Sequence, residues 1–579
     1  MLKFSVKYSA TRHWIVYSVI TVSVLNPGVS ALLPERVAGL LPVEPAAWAA
    51  SVPPPAGAQL TQVRDYIEQQ RVAQQIEEDR ERQKSQVETN MQKPDESTAK
   101  VTFTLTQIQT DPSEILTEEE IKKITDSYIG KTVSLQNLYD MTDAINKLYE
   151  TKGYAICKAY LPPQRIHEGV VQVKLLEGKT GNVTINGLRH TRKGYVSNRI
   201  KLEPGKVANT DALTDRLQRF NATTDVQLRI LVHAGEQPGT TDYEMAAFEP
   251  KHNQTVSLYV DNNGYDSSGR WREGIFYVIR SLTGQRDALR LNYLRSKGTN
   301  IFGANYSMPI NNQGTMLDFD YGTNTTEIVK GNLKDVGVKG HAYAGSITLR
   351  HPLCVDETRR YEIGMQYLYQ KSQTDIGTKM NNYIKWVDDR RNTYAPFISF
   401  THYGKSSVFY HKHTVAFTGF NNLDDSGDNY PAYRLDALYQ KRLGGGQMLS
   451  GRLNAQVAGE NKNMSSSDLF YIGGSNSVRG YEESFLGGQQ GFTASLSYMA
   501  PLDKKRIFNA FAFVDYGRVF GNEQTVLDQT LVSTGLGVTA SYKNFYSSLT
   551  LGIPLKREFK SQTDKVDKAR VHFICSLTF

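Results

Sequence analysis

From about residue 251 to the C-terminus, apolar and polar residues alternate with a period of two. At the end of the chain Val571, Phe573, Cys575, Leu577 and Phe579 fall on one face, and Arg570, His572, Ile574, Ser576 and Thr578 on the other. Leu449, Gly451, Leu453, Ala455 and Val457 stand in the same way against Ser450, Arg452, Asn454 and Gln456. About sixteen such segments, many about 10–14 residues long, are separated alternately by short and by long turn-rich stretches. Alternation alone fits a soluble sandwich, apolar within, as well as a membrane barrel, apolar without. Continuity over some 330 residues, short hairpins alternating with long loops, and an export signal favour the barrel. A closed barrel leaves no backbone group unpaired in lipid.

Upstream, the period becomes helical in places. Residues 100–178 read as an α/β unit: a strand at Val101–Gln107, a capping box at Thr117–Glu120, and a second helix opened by Ser134. That helix carries Leu138, Met141, Ile145 and Leu148, ends at Gly153-Tyr154, and is followed by strands near 154–161 and 170–176. Residues 179–250 repeat the plan. Val183 to Gly187 is a strand and turn, Thr210 caps a helix bearing Leu213, Leu217 and Phe220, and strands near 226–232 and 242–248 close the unit. The repeat is one of β-α-α-β-β architecture, hardly of sequence.

Residues 59–88 predict a helix of another kind. Leu60 to Glu88 lacks Gly and Pro, and its apolar stripe of Leu60, Val63 and Ile67 soon drifts. So polar a helix cannot sit in an apolar core; it is a solvated linker or it fills a polar cavity. Residues 32–58, with Pro53–Pro55, and 89–99, with Pro94, are linkers. Residues 1–31 form a secretory signal: Lys3, Lys7 and Arg12, an apolar run from Trp14 to Leu25, then Val29-Ser30-Ala31. That run is shorter than the about 20 residues a bilayer-spanning helix needs.

Composition narrows the classes. The 579 residues include 46 Gly, 33 Tyr and 23 Phe, which suits turns and strands. At 39% hydrophobic residues, with no run of about 20 apolar ones downstream of the signal, a helical membrane bundle is excluded. The net charge of +8 is mild and scattered, without a basic stripe, so nucleic acid is not an expected partner. Cys157, Cys354 and Cys575 lie far apart, which excludes a disulfide scaffold and a Cys-based zinc ribbon. His411 and His413 share a strand face but no third ligand is evident, so they read as a surface pair. His167-Glu168 fails as a zinc motif because position 171 is Val, Gly473 to Ser477 is no nucleophile elbow, and no phosphate-binding loop occurs. No catalytic residue, cofactor or metal is expected.

Two constellations carry the strongest signal. Phe470-Tyr471-Ile472-Gly473-Gly474 precedes Ser477-Val478-Arg479-Gly480-Tyr481 within a segment of about 30 residues, a length uncommon without function. Phe513, Asp515 and Gly517 then share one face of a strand. With this pair the chain resembles the TpsB outer-membrane transporters of two-partner (type V) secretion, relatives of the outer-membrane assembly factors. The match extends to Gly153-Tyr154 and Leu161-Pro162-Pro163-Gln164-Arg165-Ile166, typical of a first POTRA (polypeptide-transport-associated) domain, and to Pro238-Gly239-Thr240-Thr241-Asp242, typical of a second.

The resemblance implies a plug helix, two periplasmic POTRA domains and a sixteen-stranded transmembrane β-barrel in the outer membrane of a Gram-negative bacterium. It implies a monomer that exports a large exoprotein partner with an N-terminal secretion domain: a haemolysin, an adhesin or a contact-dependent inhibition toxin. It assigns transport to Val478, Arg479, Gly480, Tyr481, Phe513, Asp515 and Gly517, partner recognition to Leu161, Pro162, Pro163, Gln164 and Arg165, and delivery to the barrel assembly machinery and membrane lipid to Phe579. An assembly or insertion factor for other barrels is the alternative function, and a passive porin a third. Physically, a buried Arg479 needs a carboxylate, and Asp515 on the lumen face can supply a bidentate one.

Overall fold

The computed structural model describes residues 54–83 and 102–579, apart from 332, 357, 378–381, 423–426, 460–463, 522–528 and 560–565. The signal at 1–31, nearly all of the 32–58 segment, the tail of the helix at 84–88 and the 89–99 linker lie outside the described residues.

The alternating region forms a closed barrel of sixteen antiparallel strands. In chain order these are β1 (Gln254–Asp261), β2 (Arg272–Arg280), β3 (Ala288–Arg295), β4 (Thr299–Pro309), β5 (Met316–Glu327), β6 (Val338–Val355), β7 (Arg359–Ile376) and β8 (Ile384–Tyr403). The second half comprises β9 (Ser407–Asn421), β10 (Asn429–Arg442), β11 (Met448–Ala458), β12 (Gln490–Pro501), β13 (Phe508–Phe520), β14 (Gln529–Tyr542), β15 (Phe545–Pro554) and β16 (Arg570–Thr578). Closure runs from Ile574 opposite Asp261 to Thr578 opposite Ser257. Side chains settle the polarity that alternation left open. Leu496, Val514 and Leu536 point outward and are more than half exposed, whereas Asp318, Arg391 and Asp515 point inward and are buried. A polar lumen inside an apolar wall is the membrane arrangement.

Ahead of the barrel stand two α/β units. In the first, the Thr117–Glu120 box opens α2 (Glu118–Thr125), and Ser134 with Asn137 makes a second box for α3 (Leu135–Thr151). Both helices pack on a three-stranded sheet in the order 107–110, 170–176, 158–160, around Leu138, Met141, Ile145, Cys157 and Val173. The second unit has α4 (Lys193–Ile200) and α5 (Thr210–Thr223) against strands Lys179–Asn186, Thr240–Phe248 and Gln227–Ala234. The strand expected at Val101–Gln107 breaks at Leu105-Thr106 into Thr102–Thr104, paired with Thr132–Ser134, and Gln107–Thr110 in the three-stranded sheet. Two further details depart from the sequence reading. Helix α4 was not located there: it lacks a side-chain cap and contains Gly194. Thr210 is not the cap of α5. Asn209 takes that place, accepting from Ala212 N, while Thr210 Oγ1 donates to Gly153 O at 2.8 Å and accepts from Ala155 N, tying the two units together.

The polar helix α1 (Ala56–Gln83) begins three residues before the expected start and lies inside the barrel. At 1.5 Å per residue it is about 42 Å long, enough to traverse the lumen. Its first turn is close-packed. Gly57 N donates to Ser372 Oγ, Gln370 Nε2 donates to Gly57 O at 2.8 Å, and Asn324 Nδ2 donates to Ala56 O. Further along, Arg64 reaches Ser346, Arg452 reaches Gln69, and Glu77 pairs with Arg442 at 2.6 Å. A charged helix is stable here because the wall supplies charged and amide partners throughout its length.

Candidate functional site in the barrel lumen

The loop from β11 to β12 folds back into the lumen. A short ribbon, Phe470–Ile472 against Leu486–Gly488, forms its stem. At its tip Val478 and Tyr481 are fully buried with Ile472, Phe485, Leu486, Val519 and Leu531. This apolar contact seats Arg479 over β13. Its Nε donates to Asp515 Oδ2 at 2.8 Å and its Nη2 to Asp515 Oδ1 at 2.7 Å, the bidentate geometry of a guanidinium on a carboxylate. The Arg479 backbone N–H donates to Oδ2 at 3.0 Å, and Ser495 Oγ donates to Oδ1 at 2.7 Å. Asp515 is wholly buried. The guanidinium carbon lies 3.5 Å from the centroid of the Phe513 ring, which gives Phe513 a direct part in the site.

The neighbouring motif residues fit by shape. Gly480 has φ +96°, and a Cβ there would meet the Gly552 backbone carbonyl carbon at 2.9 Å. Its N–H donates to His572 Nε2 at 3.1 Å. A Cβ on Gly517 would meet Val478 Cγ2 at 2.7 Å. Tyr481 OH donates to Lys556 O at 2.7 Å and lies 3.0 Å from Val532 O. The loop therefore touches β12 to β16, and all seven motif residues converge on one patch of wall.

A second anchor has no local signature in the sequence. Asp468, at the base of the loop, is buried and paired with Arg391, and with Arg434 at 2.9 Å, while Tyr430 OH donates to it at 2.8 Å. Arg391 Nη2 also donates to Thr61 Oγ1 of α1, and Ser484 Oγ of the loop to Gln62 Oε1 at 2.9 Å. Loop and helix brace each other.

The other singled-out residues lie elsewhere. Leu161 packs on the first unit's core, Gln164 hydrogen-bonds both N–H and C=O of Gln172, and Pro163 and Arg165 are exposed. The edge strand Lys158–Tyr160 is already capped, since Ala159 N donates to Asn146 Oδ1 and Ala159 O accepts from Asn146 Nδ2. Main-chain pairing at its centre is therefore taken. Phe579 N donates to Val256 O at 2.7 Å, at the closure of the barrel, with its ring exposed. His411 and His413 touch each other at 2.8 Å, and His411 stacks on Phe400 on the outer face.

Residues 244–540, just over half of the chain, match the profile of the family described as haemolysin secretion/activation protein ShlB/FhaC/HecB. The chain belongs to this family. Residues 103–178 match the POTRA domain of ShlB type, which identifies the first α/β unit. The chain is 24% identical over 499 residues to the heme/hemopexin transporter protein HuxB of Haemophilus influenzae strain 86-028NP, covering 80% of this chain and 85% of that one. It is 22% identical over 553 residues to the outer membrane transporter CdiB of Dickeya dadantii strain 3937, covering 86% and 92%. The fold matches the structure of CdiB from Escherichia coli with a TM-score of 0.65 at 18% identity, over 89% of this chain and 98% of that one. This ShlB/FhaC/HecB-family protein is thus an outer-membrane transporter of two-partner secretion: its barrel crosses the outer membrane of a Gram-negative bacterium, its POTRA region lies in the periplasm, and it exports a partner exoprotein.

Proposed function

We propose that the resting transporter is closed by two coupled elements, α1 as a plug and the Arg479–Asp515 loop as a lock on the wall. The observation that carries this reading is the polar engagement of α1 along its length, from Gly57 at Ser372 to Glu77 at Arg442. Polar contacts exchange with water at small net cost, which suits a segment that must leave and return. Residues 179–250 serve as a second POTRA domain beside the first. The partner is a large exoprotein of haemolysin, adhesin or contact-dependent inhibition type. It meets the first POTRA domain at Leu161, Pro162, Pro163, Gln164 and Arg165 through side-chain contacts, because the adjoining strand edge is occupied by Asn146. It then passes through the vacated lumen, and folding outside biases the motion outward without nucleotide hydrolysis. Phe579, exposed at the closing seam, serves the assembly of the monomeric barrel in lipid. Deleting residues 54–83 and recording single channels in planar bilayers tests the plug: conductance rises, and an unchanged conductance overturns the reading.

A further inference from the structure

At the periplasmic mouth of the lumen one guanidinium is shared by three parts of the molecule. Arg360, the second residue of β7, is buried and points inward. Its Nη1 donates to Asp79 Oδ2 of α1 at 3.3 Å and to the backbone carbonyl of Ala222 at 2.8 Å. Its Nε donates to Glu362 Oε1 at 3.2 Å, which holds it on its own strand. Tyr403 OH of β8 donates to the same Asp79 Oδ2 at 2.6 Å. Gln75, one turn before Asp79, places its side-chain oxygen 2.7 Å from Arg360 Nε once its amide is oriented to satisfy both ends. Ala222 lies in the last turn of α5, where carbonyls carry the negative end of the helix dipole and favour a cation.

The other ties between this α/β unit and the barrel are of a different kind. Arg199 Nη2 donates to Asn311 O at 2.8 Å, Arg219 Nη1 reaches Gln313 O at 3.5 Å, Asp225 pairs with Arg286, Ser281 Oγ donates to His190 O at 2.7 Å, and Arg192 N donates to Gly284 O at 2.9 Å. These contacts join the unit to short turns of the barrel and involve no residue of α1. Arg360 alone among these arginines touches both α1 and α5. A buried guanidinium keeps its place only while its acceptors do, because each lost acceptor leaves a desolvated donor.

We propose that Arg360 is a positioning residue that couples the second α/β unit to the plug. With α5 docked, the Ala222 carbonyl fixes the guanidinium on Asp79 and the plug stays seated. When the arriving partner displaces that unit, the guanidinium loses its anchor and the hold on the last turns of α1 weakens. By linkage, exit of α1 loosens the docking of the unit to the same degree. The inference rests on the plug reading above.

The test uses the full-length protein in planar bilayers, with opening frequency as the readout and heat-modifiable mobility as the check that the barrel has folded. R199A/R219A loosens the docked unit without touching α1 and is expected to raise opening about fivefold or more. R360Q raises it similarly, and the combined variant adds little. R360K, whose ammonium pairs with Asp79 but cannot also reach Ala222, is expected to open about as often as R199A/R219A and to respond no further to R199A/R219A. That last result is one a merely structural arginine would not give. An equal response to R199A/R219A in the wild-type, R360Q and R360K backgrounds overturns the coupling while leaving the plug intact. An unchanged conductance on deleting residues 54–83 overturns the plug and the coupling together.

Discussion

Replacing Asp515 by Asn removes one charge from the lock while keeping its shape. In the native protein the carboxylate takes four donors: Arg479 Nε, Nη2 and backbone N–H, and Ser495 Oγ. Asp515 is fully buried and the Arg479 side chain is 16% exposed, so solvent screens little of the pair. Breaking one side of a buried pair costs about 3–5 kcal/mol. Arg479 would keep Ser495 and Ser497, at 3.0 and 3.3 Å, and the face of Phe513, which places the loss near the lower end. About 3 kcal/mol corresponds to a shift of about a hundredfold in the balance between seated and unseated loop. The barrel itself rests on its backbone ladder and assembles normally. Amide exchange across residues 474–485 of the full-length protein should accelerate by that factor, and the secreted partner, normalised to barrel abundance, should fall. Arg479→Ala and the double variant complete a cycle in which the second substitution adds little, since both remove one interaction. Exchanging the two charges would not restore function, because the bidentate fork fits one geometry. Strictly additive losses, or unchanged exchange in Asp515→Asn, would refute the pairing.

Three further outcomes follow from the same geometry. Gly480→Ala forces a Cβ into the Gly552 backbone at 2.9 Å at φ +96°, so the loop should fail to seat and secretion should stop while the heat-modifiable barrel still accumulates. Burial, with Glu177 nearby, pushes the Cys157 thiol from 9.0 up to about 12. Raised pKa favours the protonated form, so at pH 8 the folded protein holds roughly a thousandfold less thiolate than the unfolded chain, and Cys157 should resist a maleimide until urea is added; labelling without urea would refute this. Deleting residues 100–178 should abolish secretion without removing the barrel from the outer membrane, and continued secretion would place partner recognition elsewhere.

Periodicity made the architecture legible because each element buries one face. The α/β units showed apolar positions at helical spacing and a side-chain box, Thr117 with Glu120, whose geometry the structure reproduces. Helix α4 escaped because it has neither a side-chain cap nor a long stripe: only Tyr195, Val196 and Ile200 are buried. Asn209 and Thr210 are both capping residues, and local sequence cannot choose between them. The choice was made at a distance, by the carbonyl of Gly153, which Thr210 satisfies. The direction of the barrel's alternation was equally undecidable from period alone. It is set by what fills the lumen, and α1 with its charges requires polar walls.

The lock was half legible for a related reason. Arg479 and Asp515 stand in recognisable strings, but Ser495, Ser497, Gly552 and His572 are ordinary residues in ordinary strands. Register recruits them. Once β12 and β13 are joined by the short turn 502–507, the pairing of Pro501 with Asn509 fixes Ser495 opposite Asp515, and Ser497 follows on the same face opposite Phe513. That much could be counted from the turn. Gly552 and His572 could not, because the loop, not a strand, carries Gly480 to them, and its path depends on the apolar seat of Val478 and Tyr481. The same logic hides Asp468 and Arg360. Each is a single charge whose partners come from two or more separate stretches of chain, so neither leaves a local pattern. Such residues are where helix, loop and wall meet: the wall is specified by repetition along the strand, and the contacts that fill the lumen by isolated buried charges that only the assembled barrel brings together.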